Sequence, residues 1–223
     1  MTFHIFLVEC GVELIPKKIR NHSAIRRNLS DRNYASQLLD NALHHSAMRN
    51  LKNRSKRGRP DITHLCLLNA LGSPLNNSGD LRVYMHTIKN RLFEFNPEIR
   101  IAKNYNRFKG LMAKLLIDNG IKVDGTYLIA PVKKTLKEKL NKFKGSEVIL
   151  FTEEGTPTRL HDLYKKGGSN DYVGIIGGFQ KAKFSNSIRN LTENHISISE
   201  IALNAWIVVS RAITHYEMTH NIF

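Results

Sequence analysis

The stretch 56–64 places several cations and one carboxylate directly before a predicted helix. Its sequence is Lys-Arg-Gly-Arg-Pro-Asp-Ile-Thr-His, and an apolar-rich run over 62–71 begins directly after Asp61. This pattern predicts a helix with Asp61 as its N-cap. It also places Arg57 and Arg59 in the loop that leads to the positive end of the helix dipole, where a phosphate would be stabilised. An ordinary helix cap preceded by solvated charge explains the same residues.

Residues 100–108 mix cations with aromatic rings. The sequence Arg-Ile-Ala-Lys-Asn-Tyr-Asn-Arg-Phe contains two aromatics and three cations, Arg100, Lys103 and Arg107. The phosphates of RNA need charge and its unstacked bases need flat faces on which to stack, so this composition suits RNA binding. A solvated surface loop could have much the same composition.

The stretch 171–179, Asp-Tyr-Val-Gly-Ile-Ile-Gly-Gly-Phe, could form part of a ligand pocket. Its core lacks polar alternation, which predicts a strand covered on both faces of a parallel or mixed sheet. Gly177 and Gly178 would let a ligand approach the backbone at the end of the strand, where ligands bind in open α/β sheets. A strand followed by a tight turn is the simpler interpretation. A second buried strand is predicted over 147–151, and with its glycine-containing end at 152–156 it could form another wall.

Length and charge limit the possible functions. The chain has 223 residues, enough for one α/β domain with an elaboration or for two small domains. Lys and Arg total 34 against 19 Asp and Glu, and the formal net charge of +15 predicts an anionic partner, either a nucleic acid or a membrane surface. No segment reaches the roughly 18 apolar residues of a transmembrane helix, and no signal peptide is recognisable, so we expect a soluble cytoplasmic protein that does not bind a membrane.

Cysteine and histidine spacing predicts no metal site. Cys10 and Cys66 have apolar neighbours and no ligand spacing, which favours reduced core residues over a disulfide or a metal centre. His44 and His45 are adjacent on a predicted helix and point in different directions, so they cannot form a two-ligand clamp.

The rest of the chain alternates between strand and helix patterns. Further strands are predicted over 3–8, 127–132 and 195–199, a β-hairpin over 81–95, and helices over 37–48, 107–119, 133–143, 159–166 and from 200 to 216.

Three motifs in one order resemble a known family. They are His-His-Ser-Ala-Met at 44–48, the 56–64 stretch, and Leu-Leu-Asn-Ala-Leu-Gly-Ser-Pro-Leu-Asn at 67–76. Through them the chain is similar to the archaeal and eukaryal small-subunit ribosomal RNA pseudouridine N1-methyltransferases, ribosome-biogenesis enzymes of the SPOUT class. The 100–108 stretch also resembles the family, with Lys103 where arginine is common. The C-terminal part resembles the SPOUT cofactor region, and the similarity extends from residue 3 to residue 217.

The resemblance implies the fold and the cofactor. It implies a single SPOUT domain over 1–223, an α/β fold with an open, mostly parallel sheet, helices on both faces, a C-terminal trefoil knot and a β-hairpin and loop elaboration. RNA would be bound by the elaboration at about 15–60 and 76–108. S-adenosylmethionine would be bound by the knot region at about 147–217, mainly through the backbone of three loops.

The resemblance also implies site residues. Those expected around the cofactor are Thr152, Glu153, Gly155, Ile176, Gly177, Gly178, Phe179, Ile198, Ser199 and Leu203. Those expected at the RNA are Arg57, Arg59, Arg100, Lys103 and Arg107, of which Lys103 keeps the charge but lacks arginine's two-pronged contact. Asp61, with Arg59, is the catalytic candidate, either orienting the target base or accepting its N1 proton. It could instead be only the N-cap and tie Arg59 in place. The sulfonium of the cofactor is already activated, so no metal is required.

One segment departs from the family pattern. After Gly-Gly-Phe the family often continues Pro-His-Gly-Asp-Phe, whereas this chain has Gln-Lys-Ala-Lys-Phe at 180–184. No side-chain role is therefore carried over to 180–183, although the added lysines could shift the loop toward RNA.

The resemblance implies partners and leaves two alternatives open. SPOUT enzymes pair as two-fold dimers through the knot region, so a homodimer is expected, with small-subunit rRNA and possible other ribosome assembly factors as partners. One alternative is an RNA-binding assembly factor in which catalysis is secondary or lost. The other is a related SPOUT methyltransferase that acts on transfer RNA.

Overall fold

An eight-stranded sheet organises the chain in a computed structural model that describes residues 1–143, 145–165 and 171–223. The strands are β1 (Phe3–Cys10), β2 (Leu81–Thr87), β3 (Leu92–Phe95), β4 (Ile121–Val123), β5 (Thr126–Val132), β6 (Glu147–Pro157), β7 (Tyr172–Gly177) and β8 (His195–Ser197). Their order across the sheet is β4-β5-β3-β2-β1-β7-β6-β8. The five strands β2, β1, β7, β6 and β8 are parallel to their neighbours. Strands β3, β5 and β4 extend the sheet beyond β2 in antiparallel order. The open, mostly parallel sheet and the 81–95 hairpin are confirmed.

Helices follow or precede most strands. The α-helices of the described ranges are α1 (Ser23–Arg26), α2 (Tyr34–Gln37), α3 (Asn41–His44), α4 (Pro60–Leu71), α5 (Pro74–Asn77), α6 (Tyr105–Asp118), α7 (Leu136–Leu140), α8 (Asn186–Arg189) and α9 (Ala205–His220).

The central strand β1 is buried along its whole length because helices cover both faces of the sheet. Phe3, Ile5 and Leu7 pack into a core shared with α4, α6 and α9. Phe6 and Val8, which point the other way, pack into a second core with α7 and α8. This alternation between two cores explains why the strand is mostly apolar, with His4 and Glu9 as its two buried polar side chains.

Residues between β1 and α4 form a small lobe with its own apolar core, which includes Ile25 and Met48. The predicted helix over 37–48 is wrong. Leu38 is extended and pairs with Leu14, and Asp40 then caps the four-residue helix α3. Tertiary pairing has overridden the local helical pattern.

The two neighbouring histidines of this lobe lie in different environments. His44 is buried, and its Nδ1 accepts a hydrogen bond from the Asp40 main-chain N–H at 3.1 Å, whereas His45 is exposed. They do not share a ligand position.

The N-cap prediction for Asp61 is also wrong. Helix α4 begins with Pro60 at its first position and Arg59 as the N-cap, so Asp61 lies inside the first turn. Proline is favoured at the first helical position because its missing N–H would have had no helical partner. The end of α4 at Gly72 is as predicted.

Several boundaries differ at the carboxyl end of the sheet. The final helix begins at Ala205 rather than at 200, and the strand that begins at Glu147 continues to Pro157. The basic helix predicted over 133–143 is shortened to α7, with a capping box made by Thr135 and Glu138. Of the helix predicted over 159–166, only a turn over Leu160–Asp162 is present, and Lys166 lies outside the described residues.

Both cysteines are free and buried, as predicted. Burial raises the pKa of Cys10 to about 12, so its thiol remains protonated. Across the described ranges, none of the helices combines the length and apolar character needed to span a bilayer.

Candidate functional site

A cavity of about 450 Å³ lies where β6, β7 and β8 end. Its walls come from three segments, at 151–154, 176–184 and 196–208. The volume lies within the range usual for small-molecule sites, and the carboxyl ends of parallel strands are where such sites form.

The first wall is a bulge in β6. Phe151 and Thr156 both pair with Ile196 of β8, so residues 152–155 leave the ladder. A side chain at Gly155 would come within 2.6 Å of the Ile196 backbone, so only glycine lets the two strands approach this closely. The bulge turns Thr152 and Glu153 into the cavity wall.

The second wall follows β7. Gly177 lines the cavity, whereas Gly178 lies behind it against the end of β1. The N–H of Gly178 donates to the Val8 carbonyl at 2.8 Å, and a Cβ at this position would come within 2.4 Å of the Cys10 sulfur. Gly178 therefore joins β7 to β1 rather than contacting a ligand through its own atoms.

Eight of the ten residues expected around the cofactor line the cavity: Thr152, Glu153, Ile176, Gly177, Phe179, Ile198, Ser199 and Leu203. Gly155 and Gly178 are the two that do not. They allow the close strand contacts that shape the walls.

The segment after Phe179, for which the sequence supported no role, closes one side of the cavity. Glu154 binds Lys183 at 2.5 Å and also binds Arg189, and these hydrogen bonds hold the pKa of the Glu154 carboxyl below its usual value. Phe179 and Phe184 meet edge to face at 5.2 Å. No local pattern predicts the Glu154 contacts, because the partners lie 29 and 35 residues apart in sequence.

Arg59 and Asp61 form a two-pronged ion pair at the start of α4. Arg59 Nε donates to Asp61 Oδ1 at 2.8 Å, and Nη2 donates to Oδ2 at 2.6 Å. Both side chains are partly exposed, at 21% and 37%, and the bonds to Asp61 raise the pKa of the Arg59 guanidinium. Both oxygens of Asp61 therefore accept hydrogen bonds from Arg59, and these bonds fix the orientation of the guanidinium.

The Arg59 loop is joined to the cavity by main-chain hydrogen bonds. Arg59 N–H donates to the Gly11 carbonyl at 3.2 Å, and Gly11 N–H donates to the Gly178 carbonyl at 3.2 Å. Two main-chain hydrogen bonds, with Gly11 between them, therefore link Arg59 to Gly178 at the back of the cavity wall.

Arg57 does not fit its predicted RNA role. Its side chain is only 7% exposed and binds Glu13 through Nε at 2.5 Å and Nη2 at 2.6 Å. Nη1 donates to the Lys52 carbonyl at 3.3 Å. Two of these donors bind the buried Glu13 carboxylate and a third binds a main-chain carbonyl, so the Arg57 side chain holds the loop to the lobe.

The other expected RNA contacts lie on a firmly held segment. Arg100, Lys103 and Arg107 are all exposed. Beneath them, His64 Nε2 donates to the Ala102 carbonyl at 2.7 Å, and its ring stacks on Phe108 at 4.3 Å. The three cations are therefore exposed along one segment whose backbone is anchored at Ala102.

A polar cluster joins this segment to Asp40 of the lobe. Asp40 accepts hydrogen bonds from the Tyr105 hydroxyl and from Lys109, both at 3.1 Å. Burial, together with the negative charges of Asp40 and Asp61, raises the pKa of Tyr105. Tyr105 thus lies within electrostatic reach of the Arg59 ion pair.

Sequence reasoning missed Glu9 and Lys56, which form a buried ion pair at 2.7 Å beside the cavity. The available signal was the position of Glu9, a carboxylate near the carboxyl end of a central parallel strand. Within the described ranges, no group of three or more His, Cys, Asp and Glu side chains is arranged to hold a metal ion.

Comparisons with known proteins agree with one another. The family model described as EMG1/NEP1 methyltransferase matches residues 5–217. The chain is 40% identical over 221 residues to the ribosomal RNA small subunit methyltransferase Nep1 of Staphylothermus marinus, covering 98% of the chain and 96% of that protein. It is 37% identical over 217 residues to the protein of the same name from Thermococcus onnurineus, covering 96% and 97%. The crystal structure of Archaeoglobus fulgidus Nep1 bound to S-adenosylhomocysteine has a TM-score of 0.86 at 36% identity, covering 98% of the chain and 99% of its own.

Proposed function

The chain belongs to the EMG1/NEP1 methyltransferase family, and from this premise we propose that it transfers a methyl group from S-adenosylmethionine to small-subunit ribosomal RNA. The acceptor in this proposal is N1 of a pseudouridine in a hairpin loop. That nitrogen exists with a free N–H only because pseudouridine is linked to the ribose through carbon.

The observation that carries the proposal is the cavity at the ends of β6, β7 and β8. Its apolar residues, among them Phe151, Ile176 and Val208, suit an adenine ring, and the irregular backbone at the strand ends offers hydrogen-bonding groups. Glu153 adds a carboxylate of the sign that a sulfonium or an ammonium group requires. S-adenosylmethionine, when bound, supplies a methyl group already activated for transfer, so positioning can provide much of the acceleration. A relative of the same fold binds S-adenosylhomocysteine.

We propose that two surfaces receive the RNA. Arg100, Lys103 and Arg107 would bind phosphates or bases around the loop, because they are exposed and lie on an anchored segment. Arg59 would act nearer the target base, which must leave the stack to reach the cavity. Arg57 is not included, since its charge is already used by Glu13.

Asp61 has two proposed roles that can be separated. It positions Arg59, since both of its oxygens bind the guanidinium. It could also accept the N1 proton as the methyl group is transferred. The first role acts through Arg59 and the second does not.

The same proposal includes a two-fold dimer through a C-terminal trefoil knot and action in the cytoplasm during ribosome assembly, where other assembly factors could be partners. A dimer would join the cationic surfaces of two copies into one longer surface. Light scattering should give the dimer mass across the micromolar range, and a clean monomer there would contradict this part.

Transfer of labelled methyl to two synthetic hairpins tests the function. One hairpin carries pseudouridine in a small-subunit rRNA loop, and its matched control carries uridine. We expect label in the first only. A chain that binds the hairpin without transferring label would instead be an assembly factor, and label that enters only transfer RNA would indicate the other methyltransferase class.

A further inference from the structure

One buried carboxylate lies between the cavity wall and the loop that carries Arg59. The Glu9 side chain is 9% exposed, and Lys56 Nζ donates to its Oε2 at 2.7 Å. The Ser185 main-chain N–H donates to the same oxygen at 3.3 Å. A single oxygen atom therefore holds both the segment 179–185, which closes the cavity, and the loop 56–61.

Lys56 makes a second contact with the cavity wall. Its Nζ lies 4.9 Å from the centre of the Phe179 ring, and Phe179 lines the cavity. The Lys56 side chain is 10% exposed, so this cation–π contact is largely shielded from water, where such contacts are strongest. If a ligand in the cavity moves Phe179, the contact between its ring and Lys56 must change.

The backbone at Glu9 is held in an uncommon conformation. Glu9 has a φ of 51°, in the left-handed region that side-chain-bearing residues seldom adopt. Its N–H donates to Nδ1 of the buried His86 at 3.3 Å. Such conformations persist where the surroundings hold them, and they concentrate at functional sites.

We propose that Glu9 and Lys56 are positioning residues that couple the binding of the two substrates. A cofactor in the cavity would fix the segment 179–185, and through Glu9 and Lys56 it would fix the loop that presents Arg59. RNA bound to that loop would order the same contacts from the other side. Because a segment ordered by the first ligand need not be ordered again by the second, each ligand binds more tightly when the other is present. This inference rests on the proposed function, since it takes RNA as the ligand of the loop.

Calorimetric titration of S-adenosylhomocysteine, with and without a saturating pseudouridine hairpin, measures the coupling without any turnover. We expect the hairpin to lower the dissociation constant of S-adenosylhomocysteine about tenfold in the unaltered chain, within the usual range of coupling between sites. The coupling ratio is the dissociation constant of S-adenosylhomocysteine without the hairpin divided by the one with it. In the double variant Glu9→Gln/Lys56→Met this ratio should fall to about one. Glutamine still accepts from Ser185, and methionine still packs on the Phe179 ring, so the substitution removes the ionic bridge while filling its space.

The neighbouring ion pair provides a matched control. Glu13→Gln/Arg57→Met removes an equally buried pair from the same loop, but this pair leads to the lobe and not to the cavity. We expect this control to keep the tenfold ratio. If both double variants lose it equally, general loosening of the loop is responsible and the proposal is overturned.

A second variant guards against misfolding of the first. Phe179→Leu leaves the ion pair intact and removes the aromatic face, and we expect it to lower the ratio partway. A ratio of one in the unaltered chain, or no binding of the hairpin, would overturn the proposal. If the chain transfers methyl but has a ratio of one, the coupling proposal is wrong and the proposed function stands. If the ratio is tenfold but no methyl is transferred, the proposed function is wrong and the coupling stands.

Discussion

The loop 56–61 and the segment 100–107 each carry three cations, yet they use this charge differently. In the loop every cation binds a carboxylate: Lys56 binds Glu9, Arg57 binds Glu13 and Arg59 binds Asp61. In the segment, Arg100, Lys103 and Arg107 are exposed and form no ion pair within the described residues.

A cationic motif therefore does not by itself identify an RNA contact. Charge placed on buried carboxylates holds elements together, and charge left exposed on an anchored segment can be offered to a ligand. Arg59 stands between these cases, because its ion pair is partly exposed. Variants of the two regions should therefore fail in different ways.

Arg57→Ala should have the largest effect, and the effect should be on stability. Removing Arg57 leaves the buried Glu13 carboxylate with only the exposed Lys89 ammonium as an ionic partner, at 3.8 Å, so we expect the free energy of unfolding to fall by about 3 kcal/mol. Denaturant titration measures this, with Arg100→Ala as the exposed control, expected within about 0.5 kcal/mol of the unaltered chain. If Arg57→Ala keeps its stability and only loses RNA affinity, Arg57 binds RNA and does not hold the loop to the lobe.

Asp61→Asn should slow methyl transfer by about 100-fold, because the neutral amide cannot orient Arg59 through two charged bonds and small misplacements are costly in catalysis. A double-mutant cycle separates the two roles of Asp61. In an Arg59→Met background, Asp61→Asn costs nothing further if Asp61 acts only through Arg59. A further loss there would favour proton acceptance, and a normal rate for the single variant would rule out both roles.

Replacing Arg100, Lys103 and Arg107 by glutamine, one at a time, should weaken hairpin binding and leave stability unchanged. Each replacement that removes a phosphate contact should reduce the slope of log affinity against log salt by about 0.7–1. Fluorescence anisotropy at several salt concentrations measures the slope. Unchanged slopes for all three would mean that the segment is not the RNA surface.

Low pH should weaken the contacts through which Asp40 and His44 hold the segment 100–107. His44 accepts a hydrogen bond from the Asp40 N–H, and Asp40 in turn holds Tyr105, so the neutral imidazole is needed there. Burial lowers the pKa of His44 from 6.5. The unfolded chain therefore binds this proton more readily, and the free energy of unfolding should fall as the pH drops below about 6.5. His44→Asn should flatten this dependence in pH-resolved thermal melts, and an unchanged slope would exclude His44 as its source.

Lys103→Arg should have the smallest effect and the opposite sign. Arginine restores the planar fork that lysine lacks, so hairpin affinity should rise by about twofold to fivefold without loss of stability. A decrease would mean that Lys103 makes a contact for which arginine is too large.

Local patterns were enough to predict the strands and the helices with clear ends. The uninterrupted apolar run at 172–177 predicted β7, and Gly72 marked the end of α4. Proline at position 60 was a sufficient signal that Arg59, not Asp61, would precede the helix. Aspartate at position 61 misleads because aspartate is a common N-cap residue.

Long-range contacts could not be predicted in this way. The partner of Arg57 is 44 residues away, and the partner of Lys56 is 47 residues away, so nothing near either residue distinguishes a buried cation from an exposed one. The break in the predicted helix over 37–48 has the same cause, since Leu38 pairs with Leu14 across the lobe. The walls of the cavity were predicted as separate strand ends, but only the sheet order places them together.

The decisive measurement is a crystal structure of the chain with S-adenosylhomocysteine and the pseudouridine hairpin. We expect the cofactor product between the 152–155 bulge and Ile176–Phe179, with its sulfur facing N1 of a base turned out of the loop. We also expect Arg59 beside that base, Arg57 still bound to Glu13, and the RNA along Arg100, Lys103 and Arg107. A base seated away from the cavity, or Arg57 released to a phosphate, would show that the proposed site is wrong.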